Sequence, residues 1–234
     1  MTKERNIVAI KQPYFMPYIG FWQEVNAVDT YIFFDDVNYI TRGWINRNNI
    51  LVGGKRHLFT IALEGASQNK HINEINICDD FVKLRKTIEM AYKKAPHFEE
   101  TYNLLNKIFD YENRNLARFI GNSIEKVSEH LGFNTRFAYS SELEKDETLK
   151  RQDKIIDICE RLGATAYYDS MGATELYSKP TFREHGIELS FVETPRIAYP
   201  QFKNDFVPFL SIIDTMMFLP KEEVMAMCNE IKLV

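Results

Sequence analysis

The N-terminal 48 residues carry a strand, a loop, a helix and a second strand in that order. An apolar run at residues 7–10 ends before Gln12, a helical pattern begins near Gly20, and a second apolar run at 31–34 stops at Asp35. Two strands joined through a helix lie parallel, because a short turn connects only antiparallel strands. The unit therefore predicts a parallel sheet, and ligands of such sheets bind beyond the carboxyl ends of the strands.

The C-terminal half of the chain has three joins in which a helix ends, a glycine follows and a strand begins. Glycine directly after a helix adopts the left-handed conformation that turns the chain into the next strand. The joins HLG, RLG and EHG predict strands near 135–139, 165–168 and 188–192. With the first two strands they predict about five parallel strands. The predicted strand ends carry polar residues: Ser140, Ser141, Asp169, Ser170, Glu193 and Thr194.

A hairpin and three helices lie between these two regions. Residues 50–61 predict two strands around Gly53 and Gly54, because glycine tolerates the positive φ of a two-residue hairpin turn. Apolar spacing then predicts three consecutive helices, which form a helical subdomain at about 79–131. Residues 1–234 thus predict a single α/β domain with a parallel Rossmann-like sheet, a β-hairpin insert and a helical subdomain.

Composition limits the classes of function. A net charge of −4 argues against nonspecific nucleic-acid binding. The chain has no signal-peptide pattern and no window with the roughly 18 apolar residues of a spanning helix, so we expect no membrane insertion. The three cysteines, at positions 78, 159 and 228, show neither a disulfide framework nor metal-ligand spacing. We therefore expect a cytoplasmic protein without a bound metal or a resident cofactor.

The tract after the second strand is the best candidate for an anion site. Arg42 and Arg47 lie five positions apart, with Trp44 and Asn46 between them. The arginine fork matches a phosphate or a carboxylate, and an indole ring can stack on a sugar or a base. The structural alternative is a surface loop in which an arginine pairs with the acids at the strand end.

Several side chains are candidates for proton transfer or for further ligand contacts. Asp35 and Asp36 are adjacent at a strand end, so their side chains should point to opposite sides and one could serve as a general base. Lys70 and His71 could contact an anionic ligand or lie in a solvated loop. His97 could be a base or a turn residue. We assign Asp36 and His97 as the candidate catalytic residues.

Long strings of the sequence resemble those of the WbqC-like protein family. They are QPYFMPYIGFW, DDVNYITRGWINRN, NKHINEI, GATELY, YPQF and FVPFLSIID, and they run from about residue 7 to residue 218. The resemblance implies an association with gene clusters for cell-surface polysaccharide, especially O-antigen, and with amino-sugar modification, including glycyl transfer. It also favours a place near the site for Ser211 and Asp214, which could equally be structural caps.

We predict a transferase that N-acylates or aminoacylates a nucleotide-linked amino sugar. Arg42, Arg47 and Lys70 would hold the diphosphate or the acyl or aminoacyl donor, and Asp36 or His97 would handle the proton. Aromatic side chains would stack on the substrate, while amides would orient its polar groups. The candidate substrate-binding residues are Gln12, Tyr14, Tyr18, Asp35, Arg42, Trp44, Asn46, Arg47, Lys70, Ser211 and Asp214.

Two alternatives stay open at this point. The first strand, the aromatic loop and the helix have the layout of HIGH-motif nucleotidyltransferases, although the histidines of that motif are missing. A nucleotide-dependent ligase or nucleotidyltransferase would require ATP with Mg²⁺. The other alternative is a noncatalytic module that binds a nucleotide sugar or a partner glycosyltransferase.

Overall fold

The computed structural model describes residues 5–234. Within this range, strands and helices alternate along most of the chain. In chain order their bounds are β1 Ile7–Lys11, α1 Ile19–Asn26, β2 Thr30–Phe33, β3 Arg47–Val52, β4 Lys55–Thr60, β5 Leu63–Glu64, β6 Asn76–Ile77, α2 Val82–Tyr92, α3 Phe98–Phe109, α4 Leu116–Leu131, β7 Arg136–Tyr139, α5 Arg151–Arg161, β8 Ala166–Ser170, α6 Lys179–Glu184, β9 Glu188–Glu193, α7 Ile212–Phe218, α8 Lys221–Asn229 and β10 Lys232–Leu233.

A six-stranded sheet with the order β10-β9-β8-β1-β2-β7 forms the centre of the fold. Five of its strands are parallel, which confirms the prediction of a mostly parallel sheet in an α/β protein. Numbered by their order along the chain, these five strands lie 3-2-1-4-5 across the sheet. The sixth strand, β10, is antiparallel to β9 and is absent from the sequence prediction, because its two residues are too few to show a pattern.

The elements between β2 and β7 also match the sequence pattern. The predicted hairpin is β3–β4, and Gly53 and Gly54 in its turn have φ values of 58° and 73°. Helices α2, α3 and α4 form the predicted consecutive helical segment. The structure adds a second small antiparallel pair, β5–β6, which is too short to be recognised from residue alternation.

The central strands bury side chains on both faces of the sheet. On one face, Ala9, Tyr31 and Phe33 belong to a core that includes residues of α1 and α4. On the other face, Val8 and Ile10 pack with residues of α5 and α6. Parallel strands covered on both sides need continuous apolar runs rather than alternating ones. This is why the sequence shows uninterrupted runs at the first two strands.

Gly121 allows α4 to lie close to the sheet. A Cβ atom at this position would lie 2.1 Å from Tyr139 Oη and 3.2 Å from Phe33 Cε2. Alanine is the better helix former by about 1 kcal/mol. We nevertheless expect Gly121→Ala to lower the free energy of unfolding by about 1–3 kcal/mol, because the clash forces the helix away from the sheet. Urea unfolding monitored by circular dichroism measures the change.

The contact with the Tyr139 hydroxyl offers a control for this prediction. In a Tyr139→Phe background the nearest clashing atom is absent, so Gly121→Ala should cost less there than in the wild type. An unchanged or higher stability of the single variant would show that α4 does not depend on this close approach.

Candidate functional site

A cavity of about 370 Å³ opens at the carboxyl ends of β1, β8 and β9, beside the first turns of α1. We call it the first cavity. Its walls combine charged, hydroxyl and aromatic side chains. These side chains include Lys11, Tyr14, Glu24, Trp44, Ser170 and Phe209.

The first cavity lies where the strand order of the sheet reverses. The chain leaves β1 toward β2 on one side, whereas β8 pairs with β1 on the other side. In open α/β sheets the helices following two such strands lie on opposite faces, and the crevice between the strand ends binds ligands. Lys11 ends β1 and Ser170 ends β8, so both lie at this crevice. The topology and the cavity thus indicate the same place.

Lys11 and Glu24 line the floor of the first cavity and form a buried ionic cluster with Asp169, which pairs with Lys11. Lys11 Nζ lies 3.0 Å from Glu24 Oε2 and 2.7 Å from Asp169 Oδ1. It also donates a hydrogen bond of 2.7 Å to Ser170 Oγ. We call the three charged residues the Lys11 cluster. The Lys11 cluster joins the ends of β1 and β8 to α1. Replacement of any one member therefore affects the contacts among all three elements.

The environment of the Lys11 cluster shifts its ionisation. Burial raises the pKa of Glu24 to about 8, against the opposing attraction of Lys11. Burial alone would lower the pKa of Lys11, but the charges of Glu24 and Asp169 outweigh it and raise that pKa. Burial also raises the pKa of the Tyr14 hydroxyl. Glu24 Oε1 is buried without a hydrogen-bond partner among residues 5–234. Glu24 therefore combines a pKa near neutrality with a free acceptor atom.

The raised pKa of Glu24 predicts a pH-dependent stability. Its pKa rises from 4.5 to about 8 on folding, so the folded state holds this proton more tightly than the unfolded chain does. The stabilisation is complete below pH 4.5 and is lost as the pH rises through 8. We expect Glu24→Gln to remove this decline, so that the variant gains stability relative to the wild type between these two pH values. Urea unfolding at several pH values measures the difference, and parallel pH profiles would contradict the prediction.

Aromatic side chains surround the mouth of the first cavity. Trp44 is 50% exposed and Phe209 is 66% exposed, although both are large and apolar. The ring of Tyr18 meets the ring of Phe209 edge to face, with centroids 5.7 Å apart. Exposed aromatic faces at a cavity mouth can stack on sugar rings or bases. Of the sequence-predicted residues, Tyr14, Tyr18 and Trp44 line this cavity.

The loop before α1 is held by residues from two distant motifs. Met16 has a left-handed backbone, with φ of 45°, and its carbonyl accepts hydrogen bonds from Asn48 Nδ2 at 2.8 Å and Ser211 Oγ at 2.7 Å. Ser211 also caps α7 by accepting from Ile213 N. Ser211 therefore fixes the wall of the first cavity without lining it.

Asp214 is the centre of a buried hydrogen-bond network. It accepts hydrogen bonds from Tyr92 Oη at 2.7 Å, Tyr199 Oη at 2.8 Å and Gln201 Nε2 at 2.6 Å. Gln201 in turn binds both backbone groups of Val207. Burial raises the pKa of Asp214, although these hydrogen bonds oppose the shift. The network positions the segment 195–210, and Asp214 itself does not line the first cavity.

The arginine tract is folded back on itself. Arg47 Nε donates to Gly43 O at 2.7 Å, and its Nη2 donates to the carbonyl of Arg42. The guanidinium of Arg47 lies 5.6 Å from the Trp44 ring centroid. Arg42 is exposed, while Asn46 is buried and bonds Tyr39 Oη and Ile61 O. These contacts fix the orientation of Trp44, and neither arginine lines the first cavity.

The adjacent acids Asp35 and Asp36 have different partners. Asp35 is fully buried and accepts from the backbone N–H and the hydroxyl of Ser141. Asp36 Oδ2 lies 2.9 Å from Lys145 Nζ and 3.9 Å from Lys154 Nζ. Burial would raise the pKa of Asp36, but the ammonium of Lys145 outweighs it and the pKa falls. Neither acid lines the first cavity.

The remaining candidates also lie outside the wall of the first cavity. Gln12 is half-buried directly after β1. The carbonyl of Lys70 accepts from Tyr39 N at 2.9 Å, and the exposed His71 bonds Glu74 through its backbone. His97 precedes α3, and its backbone N–H donates to Met217 O at 3.1 Å. The structure therefore places none of these four residues on the wall of the first cavity.

The floor residues are the main feature that the sequence prediction did not include. Asp169 and Ser170 stand out in the sequence as polar residues at a strand end, but Lys11 and Glu24 do not. A usable signal exists for both: Lys11 is a charge ending an apolar strand, and Glu24 lies beside the buried residues Trp22 and Val25. A charge at a buried position needs a partner. Only the folded chain shows that the two are partners.

No helix in residues 5–234 is long and apolar enough to cross a membrane. The described part of the chain holds no group of three or more His, Cys, Asp or Glu side chains arranged to hold a metal ion. The two carboxylates of the Lys11 cluster share the ammonium of Lys11 instead. Cys159 is buried, and burial raises the pKa of its thiol to about 12.

Fold and cavity together define a mixed α/β protein with a ligand-sized cavity at the carboxyl edge of a mostly parallel sheet. The model of the WbqC-like protein family matches residues 12–226. The chain therefore belongs to the WbqC-like protein family.

The chain is 26% identical over 212 residues to the uncharacterized protein Rv1507c of Mycobacterium tuberculosis (strain ATCC 25618 / H37Rv), and the match covers 88% of this chain and 91% of that protein. No solved structure matches the chain.

Proposed function

We propose that the protein is a transferase that N-acylates or aminoacylates a nucleotide-linked amino sugar in the synthesis of cell-surface polysaccharide such as O-antigen. The observation that carries the proposal is the Lys11 cluster at the floor of an aromatic-rimmed cavity. Membership of the WbqC-like family agrees with it, through the association of that family with amino-sugar modification. We infer a cytoplasmic enzyme with a Rossmann-like sheet.

Glu24 is the proton acceptor in this proposal. The neutral amine of the sugar attacks the acyl carbonyl carbon, a C–N bond forms, and the bond between the acyl group and its carrier breaks. The proton released by the nitrogen passes to the Glu24 carboxylate. A general base works best when its pKa lies near the operating pH, and burial raises the pKa of Glu24 to about 8. Asp36 and His97 are less suitable, because neither lines the first cavity.

The aromatic rim supplies the binding surface for the sugar or the base. Trp44 stacks on Arg47, which leaves the indole oriented and half-exposed at the cavity mouth. Arg56 also lines the cavity, and its Nη2 donates to Pro208 O at 2.8 Å. In the proposal, Trp44 stacks on the ligand while Arg56 lies near its phosphates, and Arg47 holds the indole ring of Trp44 in place.

Binding is tested by isothermal titration with UDP-glucosamine as the probe. We expect wild type to bind it and Trp44→Ala to bind about tenfold more weakly, through loss of the stacking surface. Ile40→Ala is the matched control, because Ile40 has the same 50% exposure and does not line the cavity. Equal binding by both variants would remove Trp44 from the site. Binding of ATP with Mg²⁺, without binding of UDP-glucosamine, would favour a nucleotide-dependent ligase.

Catalysis is tested by mass spectrometry of the sugar after incubation with acyl and aminoacyl donors. We expect Glu24→Gln to abolish the product while binding of UDP-glucosamine persists, because the amide cannot accept the proton. Full turnover by this variant would exclude Glu24 as the base. Binding without turnover in wild type, across thioester, acyl-phosphate and aminoacyl-adenylate donors, would favour the noncatalytic module.

A further inference from the structure

A second cavity of about 570 Å³ adjoins the first. Its walls are mostly apolar and come from the segment 195–210 and from α1 and α7. The wall residues used below are Ile197, Ala198, Tyr199, Phe206 and Leu210. Tyr18, Thr194 and Phe209 line both cavities. The two spaces are therefore neighbours that share one wall.

The shared wall consists mainly of two aromatic rings, Tyr18 and Phe209, which we call the aromatic partition. The rings meet edge to face, with centroids 5.7 Å apart. Phe209 has φ of 58°, in the left-handed region, and 66% of the residue is exposed. A bulky residue in this conformation is strained and persists only where its surroundings hold it, as they do at ligand clamps. Two residues after Phe209, Ser211 N donates a hydrogen bond of 2.8 Å to Asn49 O, which holds this part of the chain in place.

The second cavity differs from the first in its chemistry. It contains no acid, and its apolar wall suits a hydrocarbon group. Arg196 lies exposed at its rim and forms no ion pair with any carboxylate in residues 5–234. A guanidinium without a carboxylate partner is available for a phosphate or carboxylate. The second cavity thus suits a ligand with an apolar part and an anionic part.

We propose that the second cavity is the donor subsite and binds a short acyl or aminoacyl group attached to an anionic carrier. The inference rests on the proposed function, in which the amino sugar occupies the first cavity. The acyl chain lies against the apolar wall, the anion lies at Arg196, and the acyl carbonyl reaches past the edge of the aromatic partition to the amine in the first cavity. Direct transfer, without a covalent enzyme intermediate, needs both substrates bound at once in neighbouring positions, and two cavities that share Tyr18, Thr194 and Phe209 meet this need.

The subsite is tested with hexanoate, which has an apolar chain and an anion, and with hexanol, which lacks the charge. Ligand-observed NMR titration gives the dissociation constant of each probe. We expect Ala198→Trp, which fills the second cavity only, to weaken hexanoate binding by about tenfold. Arg196→Gln should weaken binding of hexanoate but not of hexanol. Trp44→Ala, which changes the first cavity only, should leave both probes unaffected.

The same variants, titrated with UDP-glucosamine, separate this inference from the proposed function. Binding of the sugar should depend on Trp44 and not on Ala198. If Ala198→Trp weakens the binding of UDP-glucosamine as much as that of hexanoate, the two cavities form one sugar site and the donor subsite is overturned. Hexanoate that fails to bind wild type, or that binds equally to Arg196→Gln, also overturns it. If hexanoate behaves as expected but the sugar never binds wild type, the proposed function fails and only the acyl-anion site stands.

Discussion

Replacing Lys11 by Met is expected to lower the free energy of unfolding by about 3–5 kcal/mol, because removal of one partner of a buried ion pair leaves the other charge buried without its counter-charge. The two acids, Glu24 and Asp169, lie within 3.0 Å of the ammonium and are almost fully buried. For a chain of this length the change corresponds to a fall in Tm of about 6–20 °C. Differential scanning calorimetry and urea unfolding measure it.

Lys232→Met is the matched control for this prediction. Lys232 also forms an ion pair, at 2.7 Å from Glu193, but its side chain is 73% exposed. Exposed pairs contribute at most about 1 kcal/mol, because water and salt screen them. We therefore expect the Lys232 variant to unfold nearly as the wild type does. If both variants lose the same small amount, the Lys11 cluster does not anchor the strand ends to α1.

Asp214→Ala should cost about 3–9 kcal/mol of unfolding free energy, because three donors lose their acceptor in a buried place and each such loss costs about 1–3 kcal/mol. The donors are Tyr92 Oη, Tyr199 Oη and Gln201 Nε2. The variant should also release the segment 195–210, which the network holds. Urea unfolding measures the stability, and limited proteolysis with mass spectrometry measures the exposure of the segment.

Asp205→Ala serves as the control, since Asp205 is an exposed aspartate in the same segment. We expect little change in stability and an unchanged cleavage pattern for it. If Asp214→Ala resists proteolysis as well as the wild type does, Asp214 does not position the wall of both cavities. The free energy of unfolding of Asp214→Asn should lie between those of the wild type and Asp214→Ala, because the amide retains one acceptor oxygen.

Most of the fold follows from local patterns in the sequence. The apolar runs and the helix-ending glycines predict the parallel strands and the joins within two residues, and the Gly53–Gly54 turn predicts the hairpin, whose first strand begins three residues before the predicted start. These features depend on residues close together in the chain, so a single sequence carries them. Strand β10 and the pair β5–β6 lack this local support: β10 forms on the longer strand β9, and β5 and β6, which lie far apart in the chain, pair with each other.

The candidate site follows from the sequence only in part. The position at the carboxyl ends of the strands and the aromatic residues Tyr14, Tyr18 and Trp44 agree with the first cavity. Arg47 and Asp214 have residue types that bind ligands, yet their hydrogen bonds go to the protein itself. A sequence gives the chemical capacity of a side chain. It does not tell whether a ligand or another part of the chain uses that capacity.

The sequence by itself determined a mostly parallel α/β sheet, its hairpin and its helices, because each depends on short-range periodicity and turn chemistry, and it predicted the edge of the sheet at which the first cavity lies. Only the tertiary structure decided which charges meet at that edge. Lys11 and Glu24 are 13 positions apart, and Asp169 lies far along the chain, yet folding brings both acids within hydrogen-bonding distance of the Lys11 ammonium group. The ionisation of Glu24 depends on that long-range packing, because a pKa is set by the surroundings of a group and not by its neighbours in sequence.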